Sequence, residues 1–133
     1  MVLVDTSVWV SHFRYGNSHL EKILNRGDVM CHPFVIGELS CGNMGNRDEI
    51  LLLLHSLPTA RSAEQSEVLR FINNHRLMGR GLGLIDIHLL ISALLSDVLF
   101  WTLDKKLRFV SFEFNVCYCP ALWAVNHQGN LNV

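Results

Sequence analysis

Along the chain, short apolar runs alternate with apolar stripes at helical spacing. Val2, Leu3 and Val4 form one such run, which breaks at Asp5-Thr6-Ser7 before Val8, Trp9, Val10 and Phe13 recur on a helical period. This predicts a buried strand ending at Asp5 and a helix capped by Thr6 or Ser7. A short helix over residues 20–24 follows, closing near Gly27, and residues 29–31 read as a brief strand. Pro33 suits a first helical turn, so a helix runs to about Cys41 with Glu38 about one turn inside it. Residues 43–46 form a turn, and Asp48 or Asn46 caps a helix over 49–55. Residues 57–59 are a weak strand or connection. Ser62 caps a long amphipathic helix through Val68, Leu69 and Ile72 to about Leu77.

The second half repeats the alternation. Residues 78–83 are glycine-rich, but no G-K-[ST] follows, so they do not match a phosphate-binding loop. Residues 84–95 give the strongest helical pattern, with Asp86 in the first turn. Residues 98–103 form a strand that delivers Asp104 just past its carboxyl end. A short helix over 105–109, a possible last strand over 117–119 and a polar tail over 126–132 complete the chain. Strands alternating with helices predict an α/β fold: a three-layer α/β/α sandwich around a mostly parallel, Rossmann-like sheet. Such sheets place their sites beyond the carboxyl ends of the strands, the edge that carries Asp5 and Asp104.

Composition narrows the class. A chain of 133 residues has the size of a single domain, and 50% apolar with 17% charged residues excludes a disordered segment. The formal charge of −1 exerts no global pull on nucleic acid, so any such contact must come from a local basic patch. Cys31, Cys41, Cys117 and Cys119 lack metal or redox spacing and are expected as buried free thiols in a reducing compartment. Cys117 and Cys119 are expected on one side of a strand. The first residues carry no signal-peptide pattern, and the apolar stretch over 85–101 is broken by Asp86, His88 and Asp97. The expectation is a cytoplasmic protein with no membrane span.

Asp5, Glu38, Asp86 and Asp104 therefore stand out, because each interrupts an apolar pattern where a lone carboxylate is costly to desolvate. Brought together, they would suit Mg²⁺ or Mn²⁺, hard cations that take oxygen ligands and serve in-line displacement at phosphorus. Each also has an ordinary role open to it. Asp86 fits a helix-dipole partner, Asp104 a turn residue, Asp5 a plain N-cap and Glu38 a solvated face.

Four segments carry a resemblance. Leu3-Val4-Asp5-Thr6-Ser7-Val8-Trp9, Val35-Ile36-Gly37-Glu38-Leu39, the stretch from Gly83 through Asp86 to Ala93, and the stretch from Leu99 through Asp104 to Leu107 resemble the signature blocks of the PIN domain. More narrowly, the chain resembles the VapC-type toxins of bacterial toxin–antitoxin pairs in block order, spacing and length. The resemblance implies a Mg²⁺- or Mn²⁺-dependent endoribonuclease that cuts a transfer RNA or ribosomal RNA loop. It implies Asp5, Glu38, Asp86 and Asp104 as metal ligands and Thr102, Thr6 and Ser7 as their hydrogen-bonding support. It also implies a homodimer silenced by a VapB-type antitoxin, docked among the helices between Leu20 and His75.

An acidic pocket repels RNA, so cations must carry the backbone. Arg76 and Arg80 before Asp86, and Lys105, Lys106 and Arg108 after Asp104, are suitably placed. His88 follows Asp86 by two positions, which do not share a helix face, so a core or surface role is preferred for it and for His12. Trp9 and Trp101 read as core; Trp123 is left open. Two rivals remain. A phosphoacceptor receiver would need an adjacent acidic pair after the first strand and an acid near residues 57–60, both missing here. A non-catalytic module with a solvated acidic pocket predicts no site-specific metal binding. A DNA-directed nuclease of the same fold also stays open, although the chain is short for a duplex-gripping addition.

Overall fold

The computed structural model describes residues 1–120; Trp123 and the 126–132 tail lie outside the described residues. Three short strands, β1 (Val2–Val4), β2 (Val29–Met30) and β3 (Leu99–Trp101), form a parallel sheet in the order β2-β1-β3. Each strand is nearly all apolar because both its faces are covered, and Leu3, Val4 and Phe100 are fully buried. Single parallel bridges, Cys31 to Thr59 and Phe100 to Cys117, widen the sheet on both sides. The two weak strand expectations are thus one-residue ladders. At one of them Cys31 N–H donates to Pro58 O and Ala60 N–H donates to Cys31 O, both at 2.8 Å.

Seven helices are described: α1 (Thr6–Tyr15), α2 (Ser18–Asn25), α3 (Pro33–Ser40), α4 (Arg47–Ser56), α5 (Gln65–His75), α6 (Leu84–Ser96) and α7 (Lys105–Glu113). Helix α3 packs on both α1 and α4, while α6 packs on α5 and β3. The arrangement is the expected parallel α/β/α sandwich. No helix among the described residues is long and apolar enough to cross a membrane.

Several expected boundaries move for identifiable reasons. Asp5, not Thr6 or Ser7, occupies the N-cap of α1, because both hydroxyls are drawn onto carboxylates instead. Helix α2 starts two residues before the expected position, where Asn17 Oδ1 accepts from Leu20 N–H at 2.9 Å. Asn46 rather than Asp48 takes the N-cap of α4. Ser62 does not cap α5: Glu64 does, its N–H donating to Glu67 Oε1 at 3.0 Å. Strand β3 is shorter than the apolar run because Thr102 and Leu103 leave the ladder to bond with the first turn of α1. Helix α7 is longer than expected, since Leu107, Val110 and Ser111 bury one face and Ser111 Oγ donates to Leu107 O.

The thiol expectation needs correction. All four cysteines are free, but only Cys31 is buried; Cys41 is exposed at the end of α3, and Cys117 and Cys119 are half-buried. Burial and the adjacent Cys119 push the Cys117 thiol up to about 12, consistent with the two side chains sharing one side. Trp9 is fully buried and Trp101 nearly so, as expected for core residues.

His32 caps α3, a role not visible in the sequence pattern. Its Nδ1 accepts from Phe34 N–H at 3.0 Å, Nε2 lies 3.4 Å from Ser62 Oγ, and the ring is 2% exposed. Burial, with His88 adding to it, lowers its pKa to about 4, below the ordinary 6.5. Between those two values the unfolded chain binds more protons than the folded one, so stability is full above pH 6.5 and falls as the pH drops toward 4. The melting temperature should therefore decline from pH 7 to pH 5. His32→Asn, which keeps a capping acceptor but does not titrate, should make the decline shallower; an unchanged slope in thermal scans would remove His32 from the account.

Candidate metal centre

The carboxyl edge of the sheet gathers the acidic residues through a small network of hydroxyls. Asp5 follows β1 directly, and its N–H donates to Trp101 O at 2.9 Å, which ties it to the end of β3. Its side chain is buried, and Oδ2 accepts from Ser7 Oγ at 2.6 Å and from Thr102 Oγ1 at 2.7 Å. Ser7 Oγ also accepts from Leu103 N–H at 3.0 Å, and Thr102 Oγ1 from Asp104 N–H at 3.1 Å. Thr102 thus bridges Asp5 to the backbone of Asp104. One turn of α1 and the loop leaving β3 are locked around a single carboxylate.

The other three acids are placed by helix ends. Asp86 sits in the first turn of α6 and Oδ2 accepts from Gly83 N–H at 2.9 Å; Asp104 caps α7, its Oδ1 accepting from Leu107 N–H at 3.0 Å. Positive helix N-termini favour both anions. Glu38 projects from α3, and its Oε1 accepts from Thr6 Oγ1 at 2.6 Å, beside Asp5 in sequence. Each of the four carboxylates is therefore held through one oxygen. The second oxygen of each, Asp5 Oδ1, Glu38 Oε2, Asp86 Oδ1 and Asp104 Oδ2, has no hydrogen-bond partner among the described residues.

Among the described residues, no cationic side chain is ion-paired to any of the four acids; the one ion pair there joins Arg80 to Glu113. Burial raises the pKa of Asp86; the Gly83 amide opposes this, and the nearby charges of Asp5 and Asp104 add to it. That coupling places Asp5, Asp86 and Asp104 within one electrostatic neighbourhood, with Glu38 joined to it through Thr6. Among the described residues, no three histidine, cysteine or acidic side chains are close enough to enclose an ion as they stand. In donor chemistry the set still fits a hard divalent cation, since it offers four oxygens, each on an anchored carboxylate and none committed elsewhere. The hydroxyls and amides behind them are the kind of support that orients metal ligands.

The basic residues divide. Arg80 is half-buried and paired to Glu113 Oε1 at 2.6 Å. Lys105, Lys106 and Arg108 are exposed on α7, while Arg76 is exposed at the left-handed C-cap of α5. His88 is buried, with Nε2 at 3.1 Å from Gln65 Oε1 and its ring edge-on to Phe34, so its place is structural as expected. His12 Nδ1 accepts from Asn17 N–H at the end of α1. A cleft of about 580 Å³ between α1, α3 and the loop before α4 borders Glu38 but none of the other three acids.

The chain is 43% identical over 117 residues to ribonuclease VapC32 of Mycobacterium tuberculosis, matched in two strains, across 87% of this chain and 94% of the relative. This chain belongs to the VapC family. No protein-family model matches it. Among solved structures, the crystal structure of PAE2754 from Pyrobaculum aerophilum aligns with a TM-score of 0.56 over 81% of this chain and 77% of that one. At 21% identity, that likeness speaks for the fold alone. VapC membership implies divalent-metal dependence in general, in keeping with the all-oxygen donor set above.

Proposed function

We propose that this protein is the endoribonuclease toxin of a type II toxin–antitoxin pair, hydrolysing a phosphodiester in a structured RNA with Mg²⁺ or Mn²⁺ held by Asp5, Glu38, Asp86 and Asp104. One observation carries the metal assignment: four carboxylates from four elements are each anchored through one oxygen and leave the other uncommitted. Membership of a family whose relative is a named ribonuclease supports the reaction class. When bound, a divalent ion neutralises phosphate charge and makes a water nucleophilic near neutral pH. The chain's own contribution is positional. Thr102 and Ser7 fix the direction of Asp5, Thr6 fixes Glu38, and the amides of Gly83 and Leu107 fix Asp86 and Asp104.

The substrate in this reading is a transfer RNA or ribosomal RNA loop, because unpaired bases are accessible where a duplex hides its edges. Lys105, Lys106 and Arg108 supply backbone contacts beside Asp104, and Arg76 a more distant one. The working form is a cytoplasmic homodimer, silenced by a VapB-type antitoxin. Incubating the purified protein, freed of any antitoxin, with total transfer and ribosomal RNA tests the reading. Discrete fragments mapping to loops, formed with Mg²⁺ or Mn²⁺ and suppressed by EDTA, are the expected result. Intact RNA after prolonged incubation with folded protein would favour a non-catalytic acidic pocket instead.

A further inference from the structure

Arg80 of the glycine-rich loop and Lys105, Lys106, Phe109 and Val110 of α7 line an open, shallow cavity of about 230 Å³. Neither Asp86 nor Asp104 lines it, but Lys105 follows Asp104 directly in sequence. Lys106 lies against Gly81, two residues before Gly83, whose amide holds Asp86; Phe109 lies five residues, or ~7.5 Å of helix rise, past Asp104. Phe109 is 64% exposed on a helix whose opposite face is buried. It stacks on no other ring among the described residues, whereas Phe71, His75 and Phe114 form a closed aromatic group. Burial does not explain it.

The rest of the cavity is organised around charge. Arg80 is pinned by Glu113, while Lys105 and Lys106 form no ion pair among the described residues. Gly81 has φ +78°, and a Cβ there would meet Lys106 Nζ at 2.7 Å and Cδ at 2.8 Å. Glycine thus lets the lysine stem lie flat against the loop, with its ammonium held in the cavity. An exposed aromatic face bordered by cations suits a nucleobase and its phosphate, since stacking tolerates any base and the lysines take the backbone charge. A purely apolar protein partner would leave those cations desolvated and unpaired.

We propose that this cavity is a single-strand subsite next to the cleavage site, in which one unpaired base stacks on Phe109 and its phosphate meets Lys106. The proposal rests on the nuclease reading and specifies where that substrate lies. Its test uses the full chain in two assays: cleavage of the RNA mapped above, and binding of a single-stranded RNA octamer carrying 2-aminopurine, whose fluorescence falls on stacking. Phe109→Ala should weaken octamer binding about tenfold and raise KM by a similar factor with little change in kcat. Phe109→Trp should restore both, and Phe112→Ala, equally exposed but outside the cavity, should behave as wild type. Lys106→Ala, which removes the ammonium from the opposite wall without altering the loop backbone, should weaken binding and flatten its salt dependence. Wild-type cleavage with unchanged Phe109→Ala kinetics and quenching overturns the subsite alone. Wild-type protein that cuts nothing overturns the nuclease reading, and the quenching assay still decides the subsite. A Phe109→Ala protein that loses dimerisation instead assigns the face to a second copy.

Discussion

Asp5→Asn should abolish RNA cleavage, lowering kcat/KM roughly a thousandfold, while leaving the protein folded. The size follows from the several kcal/mol of transition-state charge stabilisation that a held divalent ion supplies, at about 1.4 kcal/mol per factor of ten. The retained fold follows from the hydrogen bonds, since the asparagine carbonyl can still accept from Ser7 Oγ and Thr102 Oγ1 in the position of Oδ2. What disappears is one negative charge in a neighbourhood that already strains Asp86 toward protonation. The melting temperature should hold within ~5 °C of wild type or rise. Retained cleavage at the wild-type rate, in protein shown free of contaminating nuclease, would remove Asp5 from the site.

Thr102→Val should cost both stability and activity, because one buried hydroxyl serves two acids. Thr102 is 2% exposed; it donates to Asp5 Oδ2 and accepts from Asp104 N–H. Valine fills the same space but leaves that amide without its acceptor and Asp5 with Ser7 alone. A loss of about 1–3 kcal/mol is expected on denaturant unfolding, from stranded polar groups. Cleavage should drop by roughly 10–100-fold, the usual consequence of removing a group that orients a metal ligand. Thr102→Ser should recover most of both. If stability falls while kcat/KM is untouched, Thr102 serves only the core.

The acidic edge was legible because its logic is local: Asp5 and Asp104 end apolar runs, and Asp86 opens an apolar helix, so pattern and chemistry break together. Glu38 was the weakest of the four, since it interrupts the apolar pattern of α3 on an exposed face where a solvated carboxylate is ordinary. What could not be read depends on partners far along the chain. Arg80 pairs with Glu113, 33 residues on, and no local pattern announces it. The buried Ser111 and the exposed Phe109 and Phe112 invert the expected polarity of α7, which hid both its length and its aromatic face. His32 as a cap was hidden by Pro33, which explained the helix start without it. Phe109 did leave one signal, an aromatic residue four positions after Lys105, on a face that helical spacing shares.

The measurement that bears most directly on the central claim is a Mn²⁺ titration of metal-free protein, followed by calorimetry on the wild type and on Asp5→Asn. Saturable binding in the wild type, lost or greatly weakened in the variant at the same folded fraction, is the predicted result. RNA cleavage by a wild-type protein that takes up no Mn²⁺ or Mg²⁺, or binding that is indifferent to Asp5, would contradict it and leave the four carboxylates without the role assigned to them.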